Sequence, residues 1–389
     1  MIKVLFISQW YPHRYDPMFG LFVQKHAEAA SIYANVATLY VHPDTTITKP
    51  EVQITSEKGF QEIRIYFPAG GNSFMASVRK QLNYLKAYRQ GFGILRESWG
   101  MPDVIHSNVL TRTGVISLIF KCLHKTPYVI TEHWTRYLTD SYSYTGFFRK
   151  CITQIVVKNS EAMLPVSETL KNALLANNLQ NPNYIIVNNV VDDCFFDIYP
   201  LLNRTKKRII HISCFKQQQK NIKGLLRSVS ALSNKRDDFE LVLIGTGIDF
   251  DEIQDYANSL NFKSVAVQFL GEKTSIEVAE YLYNSDFFVL FSNYETAGVV
   301  IAESLVCGKP VLSTYVGAVP EYINKNNGLI IPIGDEKALL NGMDYLLDNF
   351  MNYNSEEIIS EAKSKFSYKK VGYELNEIYK KALDKTTLH

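Results

Sequence analysis

Paired cysteines are missing from this chain. Its five cysteines, Cys122, Cys151, Cys194, Cys214 and Cys307, are odd in number and show no C-x-x-C spacing. That argues against a disulfide framework or a zinc site and points to a reducing cytoplasm. Also missing is any run of about 18 apolar residues, the length a membrane-crossing helix needs. The opening Met1-Ile-Lys-Val-Leu-Phe-Ile-Ser8 has one Lys and too brief an apolar run for a secretory signal, and reads as a short strand. Charge of one sign is scarce: the net charge is +2, with no long basic tract, so bulk nucleic-acid binding is not expected. No internal repeat and no low-complexity tract is visible. A soluble or peripheral protein remains.

What is present is apolar residue in quantity. A chain of 389 residues, 46% hydrophobic, fills two cores and exceeds one ordinary domain. Short β-branched runs alternate with amphipathic stretches: Val4–Ser8, Val36–Val41, Val104–Ser107, Tyr128–Thr131 and Met163–Val166, then Arg208–Ser213, Glu240–Gly245, Val265–Gly271, Phe287–Ser292 and Val311–Tyr315. This alternation predicts α/β architecture with parallel sheets, one in each half. Thr274-Ser-Ile-Glu277 reads as a capping box, and a last helix is expected over about Tyr368–Leu383.

One segment reads as a chemical site. Ser292-Asn-Tyr-Glu-Thr-Ala-Gly298 follows a buried strand, and Gly298–Val306 is helical, closed by Gly308 and Pro310. Glu295 then lies in the loop, and Glu303 about two turns into a helix of apolar neighbours. A carboxylate there needs partners, and a sugar or ribose diol offers two hydroxyl donors. The amides at Ala297 and Gly298 open the helix, where phosphate is favoured. The plain alternative puts Glu303 on a solvated edge and makes Glu295 a cap.

Glu295 and Glu303, separated by seven residues, resemble the E-x7-E signature of retaining nucleotide-sugar glycosyltransferases of the GT-B fold, in particular glycosyltransferase family 4. Val316-Gly-Ala-Val-Pro-Glu321 is similar to that family's Gly-Gly-x-Pro-Glu turn. Asn327-Gly-Leu and Gly334-Asp335 resemble its Asn-Gly and Pro-Gly-Asp elements, and Tyr184–Asp192 resembles its interdomain segment. Where the family commonly has Gly-Phe-Gly after the first Glu, this chain has Thr296-Ala297-Gly298.

The resemblance implies two Rossmann-like, doubly wound domains facing a cleft. The expected division is an acceptor-side domain over 1–186, with a C-terminal helix of about 370–389 packing back on it, and a nucleotide-sugar domain over 187–369. Donor-binding roles fall on Gly20, Lys216, Gly271, Thr296, Ala297, Gly298 and Glu303, and catalytic roles on His133, Glu295 and Lys220. His133 ends Tyr128-Val-Ile-Thr-Glu-His and resembles the family histidine on the donor sugar. His106 also ends a strand, and a strand-end histidine is commonly structural. Lys216 and Lys220 lie in Cys214–Gly224, similar to the family's diphosphate grip, with Phe215 where an Arg often stands. Gly20 reads equally as an ordinary turn glycine. Asp249-Phe-Asp251 formally matches a metal-binding D-x-D but opens a helix, where Asp residues cap.

The implied activity moves a sugar from a UDP- or GDP-linked donor to a hydroxyl of a glycan or lipid-linked acceptor, in bacterial surface polysaccharide or glycolipid assembly. No cofactor, metal or nucleic acid is expected. Alternatives are an isomerase or hydrolase of the nucleotide sugar, or a sugar-nucleotide binding protein without turnover. Two stretches mix cations with aromatics: Phe74–Trp99, and Tyr142–Lys150 with Tyr144, Phe147, Phe148, Arg149 and Lys150. They suit a peripheral contact with anionic lipid at the inner face of the cell membrane, or else are solvated helix faces over buried aromatics.

Overall fold

A computed structural model describes residues 1–71, 73–138 and 144–386. In chain order they form β1 (Lys3–Ser8), α1 (Leu21–Ser31), β2 (Asn35–Asp44), β3 (Glu51–Thr55), β4 (Gln61–Pro68), α2 (Phe74–Ser98), β5 (Val104–Asn108), α3 (Leu110–His124), β6 (Tyr128–Glu132), α4 (Phe147–Asn159), β7 (Ala162–Pro165) and α5 (Glu168–Ala176). After an irregular stretch come β8 (Lys207–Ile212), α6 (Gln217–Lys220), α7 (Ile222–Ser233), β9 (Phe239–Ile244), α8 (Phe250–Ser259), β10 (Ala266–Phe269), α9 (Ser275–Tyr283), β11 (Phe287–Leu290), α10 (Val299–Val306), β12 (Val311–Thr314), α11 (Val319–Tyr322), β13 (Gly328–Ile331), α12 (Glu336–Asn349), α13 (Ser355–Phe366) and α14 (Tyr368–Thr386). The chain divides into two units, Met1–Val190 with Tyr368–His389, and Val191–Ser367.

In the first unit the strand order is β3-β4-β2-β1-β5-β6-β7. The ladders are parallel except for β3, which runs antiparallel to β4. Both faces of the parallel strands are covered, so β1, β5 and β6 are buried along nearly their whole length instead of alternating. On one face Val4 and Phe6 join a core with Val23 and Ala27 of α1 and Leu375 and Tyr379 of α14. On the other, Gly91 of α2 lies against Leu39 and Ile65, and Gly114 of α3 against Val156 of α4.

The second unit holds the wholly parallel order β10-β9-β8-β11-β12-β13. Alternate residues of the same strands feed two cores: Ile210, Val242 and Phe288 on one face, and Ile209, Leu241 and Phe287 on the other. A full capping box, Thr274 with Glu277, starts α9.

Candidate active site

A parallel sheet binds ligands beyond the carboxyl ends of its strands, where successive connections leave in opposite directions. In the second unit that point lies between β8 and β11, which are neighbours although far apart in sequence. The connection after β8 carries Lys216, just before α6, and Lys220, the last residue of α6, and the loop after β11 carries Glu295. Lys220 Nζ donates to Glu295 Oε1 at 2.5 Å, and Ser292 Oγ donates to the same oxygen at 2.8 Å. Lys220 is 7% and Glu295 6% exposed, so the pair is buried. Taking both charges from water is costly unless hydrogen bonds satisfy them, and Ser292 adds one.

Backbone contacts fix this arrangement. Asn293 ties its loop to α6, its N–H donating to the Gln219 carbonyl at 2.7 Å and its side-chain amide to the Gln218 carbonyl at 2.9 Å. Thr314 Oγ1, at the end of β12, donates to the Ser292 carbonyl at 2.6 Å. The turn Val316–Glu321 then folds over the acidic loop, and the Ala318 N–H donates to the Thr296 carbonyl at 3.0 Å. Gly317 makes that approach feasible: at φ 50° a Cβ would stand 2.5 Å from the Glu295 carbonyl oxygen.

Gly298, at φ 59°, is the residue before α10, and no side chain caps that helix. The Ile301 N–H donates to the Gly298 carbonyl at 2.8 Å, which leaves the N–H groups of Val299 and Val300, at the very start of α10, without an acceptor within the helix. Glu303 sits half-buried in the middle of α10, with Ile301, Ala302, Ser304 and Leu305 buried around it. Lys216 is exposed at the start of α6. Phe215 belongs to the core, its ring 5.2 Å from that of Phe250. The cations of this loop are thus its lysines. Gly271 follows β10, its carbonyl accepting from the Gly245 N–H at 2.8 Å. The cap expected of Asp249 on its own helix does not form. Its Oδ2 instead accepts from the Gln217 N–H at 2.8 Å, because the turn at Gly245 and Gly247 packs on the backbone of Ser213 and Phe215 and brings Asp249 to the start of α6.

The first unit gathers a separate group at the ends of β1, β5 and β6. Gly20 precedes α1 at φ 68°, and a Cβ there would meet the Trp10 carbonyl carbon at 2.4 Å. Trp10 in turn packs on Trp134 at 4.8 Å and Phe22 at 6.2 Å, and Phe22 on His133 at 4.4 Å. Burial drives the His133 imidazole well below its usual pKa, helped by the nearby His26 and His106, so the ring is neutral. Its Nε2 lies 3.4 Å from Asn108 Oδ1, its buried Nδ1 lacks a partner in hydrogen-bond geometry, and the Asn189 side chain stands beside it. His106 is fully engaged within the fold, with Tyr379 at 2.7 Å and Thr131 at 2.6 Å.

Residues 199–365 match the family model described as glycosyl transferases group 1. An uncharacterized glycosyltransferase of Methanocaldococcus jannaschii is 28% identical over 308 residues, covering 78% of this chain and 82% of the relative. Sucrose-phosphate synthase from Thermosynechococcus elongatus superposes with a TM-score of 0.76 at 17% identity, over 99% of this chain and 100% of that one. Anabaena HepE in complex with UDP superposes with a TM-score of 0.73 at 15% identity, over 97% and 99% of the two chains. The fold is GT-B, two Rossmann-like units with parallel sheets. The matched region holds Lys216, Lys220, Gly271, Glu295 and Glu303, while Gly20 and His133 lie outside it.

Sequence reasoning missed two residues of this geometry. Ser292 ends a strand and opens the acidic segment in the sequence but carries no role there, although a hydroxyl three positions before a buried carboxylate is a local partner. Glu132 was passed over beside His133. It is buried, with Oε1 accepting from the N–H groups of His133 and Trp134 and Oε2 from that of Leu110, each at 2.8 Å. Burial pushes its carboxyl up to about 7 while these bonds hold it down. Glu132 thereby positions the His133 backbone.

Proposed function

We propose that this chain is a retaining glycosyltransferase that moves a sugar from a UDP- or GDP-linked donor to an acceptor hydroxyl, in the assembly of a surface polysaccharide or glycolipid. The observation that carries the reading is the buried Lys220–Glu295 pair at the switch point of the second unit, next to the uncapped start of α10. Cations and helix amides at such a point suit a diphosphate, and a carboxylate suits sugar hydroxyls. The second unit is taken as the donor-binding one and the first as the acceptor-binding one. The UDP carried by the HepE neighbour favours a uridine donor.

In the proposed reaction the bond between the anomeric carbon and the diphosphate oxygen breaks, and the acceptor oxygen bonds to that carbon on the same face. The acceptor proton passes to the departing phosphate oxygen. Negative charge grows on the diphosphate as it leaves, so Lys216, Lys220 and the α10 amides stabilise the transition state more than the ground state. Lys220 has two N–H groups besides the one given to Glu295, and Glu295 has Oε2 for a sugar hydroxyl. Glu303 holds the ribose diol. His133, being neutral, offers a hydrogen bond to a hydroxyl without adding charge.

Steady-state kinetics of Glu303→Ala test the ribose role. Donor KM is expected to rise about tenfold with kcat little changed, as when binding common to ground and transition states is lost. Unchanged donor affinity would reject the assignment.

A further inference from the structure

The helical face of the first unit formed by α2, α3 and α4 has a composition that nothing in sugar transfer requires. Neighbouring helices are packed together, Phe92 of α2 stacking on Phe120 of α3 at 4.4 Å and Gly114 of α3 lying on Val156 of α4. Their outer sides should be polar. Instead Phe74 and Met75 begin α2 at 81% and 72% exposure, and Leu82 and Leu85 continue the exposed row. Leu123 is exposed on α3, and α4 begins with Phe147 at 77% and Phe148 at 80%, followed by exposed Ile152 and Ile155. Scattered apolar side chains on a surface need no explanation, but rows on adjacent helices do.

Charge says what covers them. α2 carries five Lys or Arg against the single acid Glu97, α3 two and α4 three, with no acid in either. Lys121 of α3 is paired with Glu161. The whole chain is nearly neutral, with 41 basic and 39 acidic residues, so cations are concentrated on this face and acids elsewhere. An apolar groove of about 490 Å³ between α2 and α3, lined by Phe92, Ile119, Phe120 and Leu123, has Arg89 and Arg96 on its wall.

We infer that the α2–α3–α4 face docks on a bilayer surface rich in anionic phospholipid. The Phe pair of α4 and the first turn of α2 enter the headgroup boundary, while the surrounding lysines and arginines meet lipid phosphates. A second copy of this chain is a poor occupant, because two faces with the same cation excess repel. Of the cation-aromatic stretch read from the sequence, Tyr142 lies outside the described residues and takes no part in the argument. The inference is independent of the sugar-transfer reading.

Vesicle flotation of the intact protein tests it, using phosphatidylcholine alone or mixed with phosphatidylglycerol. The protein floats with the mixed vesicles at low salt, less so at high salt, and hardly with phosphatidylcholine alone. Phe147→Ser with Phe148→Ser, and separately Arg149→Glu with Lys150→Glu, each weaken partition by about tenfold or more, with unchanged thermal midpoint and nucleotide binding. Absence of flotation at low salt, equal flotation on neutral vesicles, or wild-type partition by both variants would overturn the inference. So would lipid-free self-association in the ultracentrifuge that the phenylalanine substitutions abolish, which would assign the face to a second copy.

Discussion

Lys220 and Glu295, 75 residues apart in the chain, share a 2.5 Å hydrogen bond with almost no exposure to water. Their strands, β8 and β11, are parallel neighbours where the strand order reverses, so the fold and not local sequence creates the pair. Removing one partner leaves a buried charge alone. Lys220→Ala is expected to cost about 3 kcal/mol of stability and to abolish sugar transfer. Lys220→Met combined with Glu295→Met is expected to recover most of that stability in denaturant unfolding while staying inactive. A double variant that transfers sugar at the wild-type rate would show the pair to be structural only.

Gly317 enforces the position of Glu295 from behind. With a φ of 50° and the Glu295 carbonyl oxygen 2.5 Å from any added Cβ, Gly317→Ala must move one loop or the other. A loss of about 2 kcal/mol is expected from the strain, with donor affinity falling too because the acidic loop shifts. Thermal unfolding with and without donor measures both. A variant as stable as wild type would mean that the turn relaxes freely.

Buried histidines make the protein sensitive to acid. Burial lowers His26 from its usual range to about 4, opposed by the bond to the Asn188 carbonyl, and drives His106 and His133 down as well. Above pH 6.5 these groups are neutral in both folded and unfolded chains and contribute nothing. As pH falls below 6.5 the unfolded chain takes up protons that the folded chain refuses, so stability is lost, for His26 until about pH 4. Each histidine contributes at most about 1.4 kcal/mol per pH unit. Denaturant unfolding at pH 7.5 and pH 5 measures the slope, and His26→Gln, which keeps a donor for Asn188, is expected to flatten it. An unchanged slope in that variant would mean that His26 does not titrate this way.

Strands made of unbroken apolar runs, such as Phe287–Leu290, were legible because a parallel strand covered on both faces has no polar side. β3 and β4 were not. Glu51–Thr55 lies exposed at the sheet edge, and Gln61–Pro68 contains Glu62 and Arg64, which are buried because they bond to each other and to Tyr11, Gln24 and Pro12. Charged residues in a core strand break the apolar signal. β13, Gly328–Ile331, opens with a glycine, which weakens the strand signal of the three apolar residues behind it. In the site, the positions of Glu295 and Gly298 ahead of α10 followed from local punctuation, whereas Lys220, expected in a loop, ends the short helix α6. The bond between Lys220 and Glu295, the use of Asp249 to hold Gln217 and the bond from the Leu110 amide to Glu132 depend on distant segments meeting, which no local spacing reveals.

Calorimetric titration of the intact protein with UDP, GDP and their sugar conjugates, repeated with Lys216→Ala and Lys220→Ala, asks most directly whether the second unit holds a nucleoside diphosphate. The account predicts that one diphosphate binds, that the affinity falls as salt rises, and that each lysine variant loses about tenfold. No binding of any of these compounds, or equal binding by wild type and both variants, would contradict it.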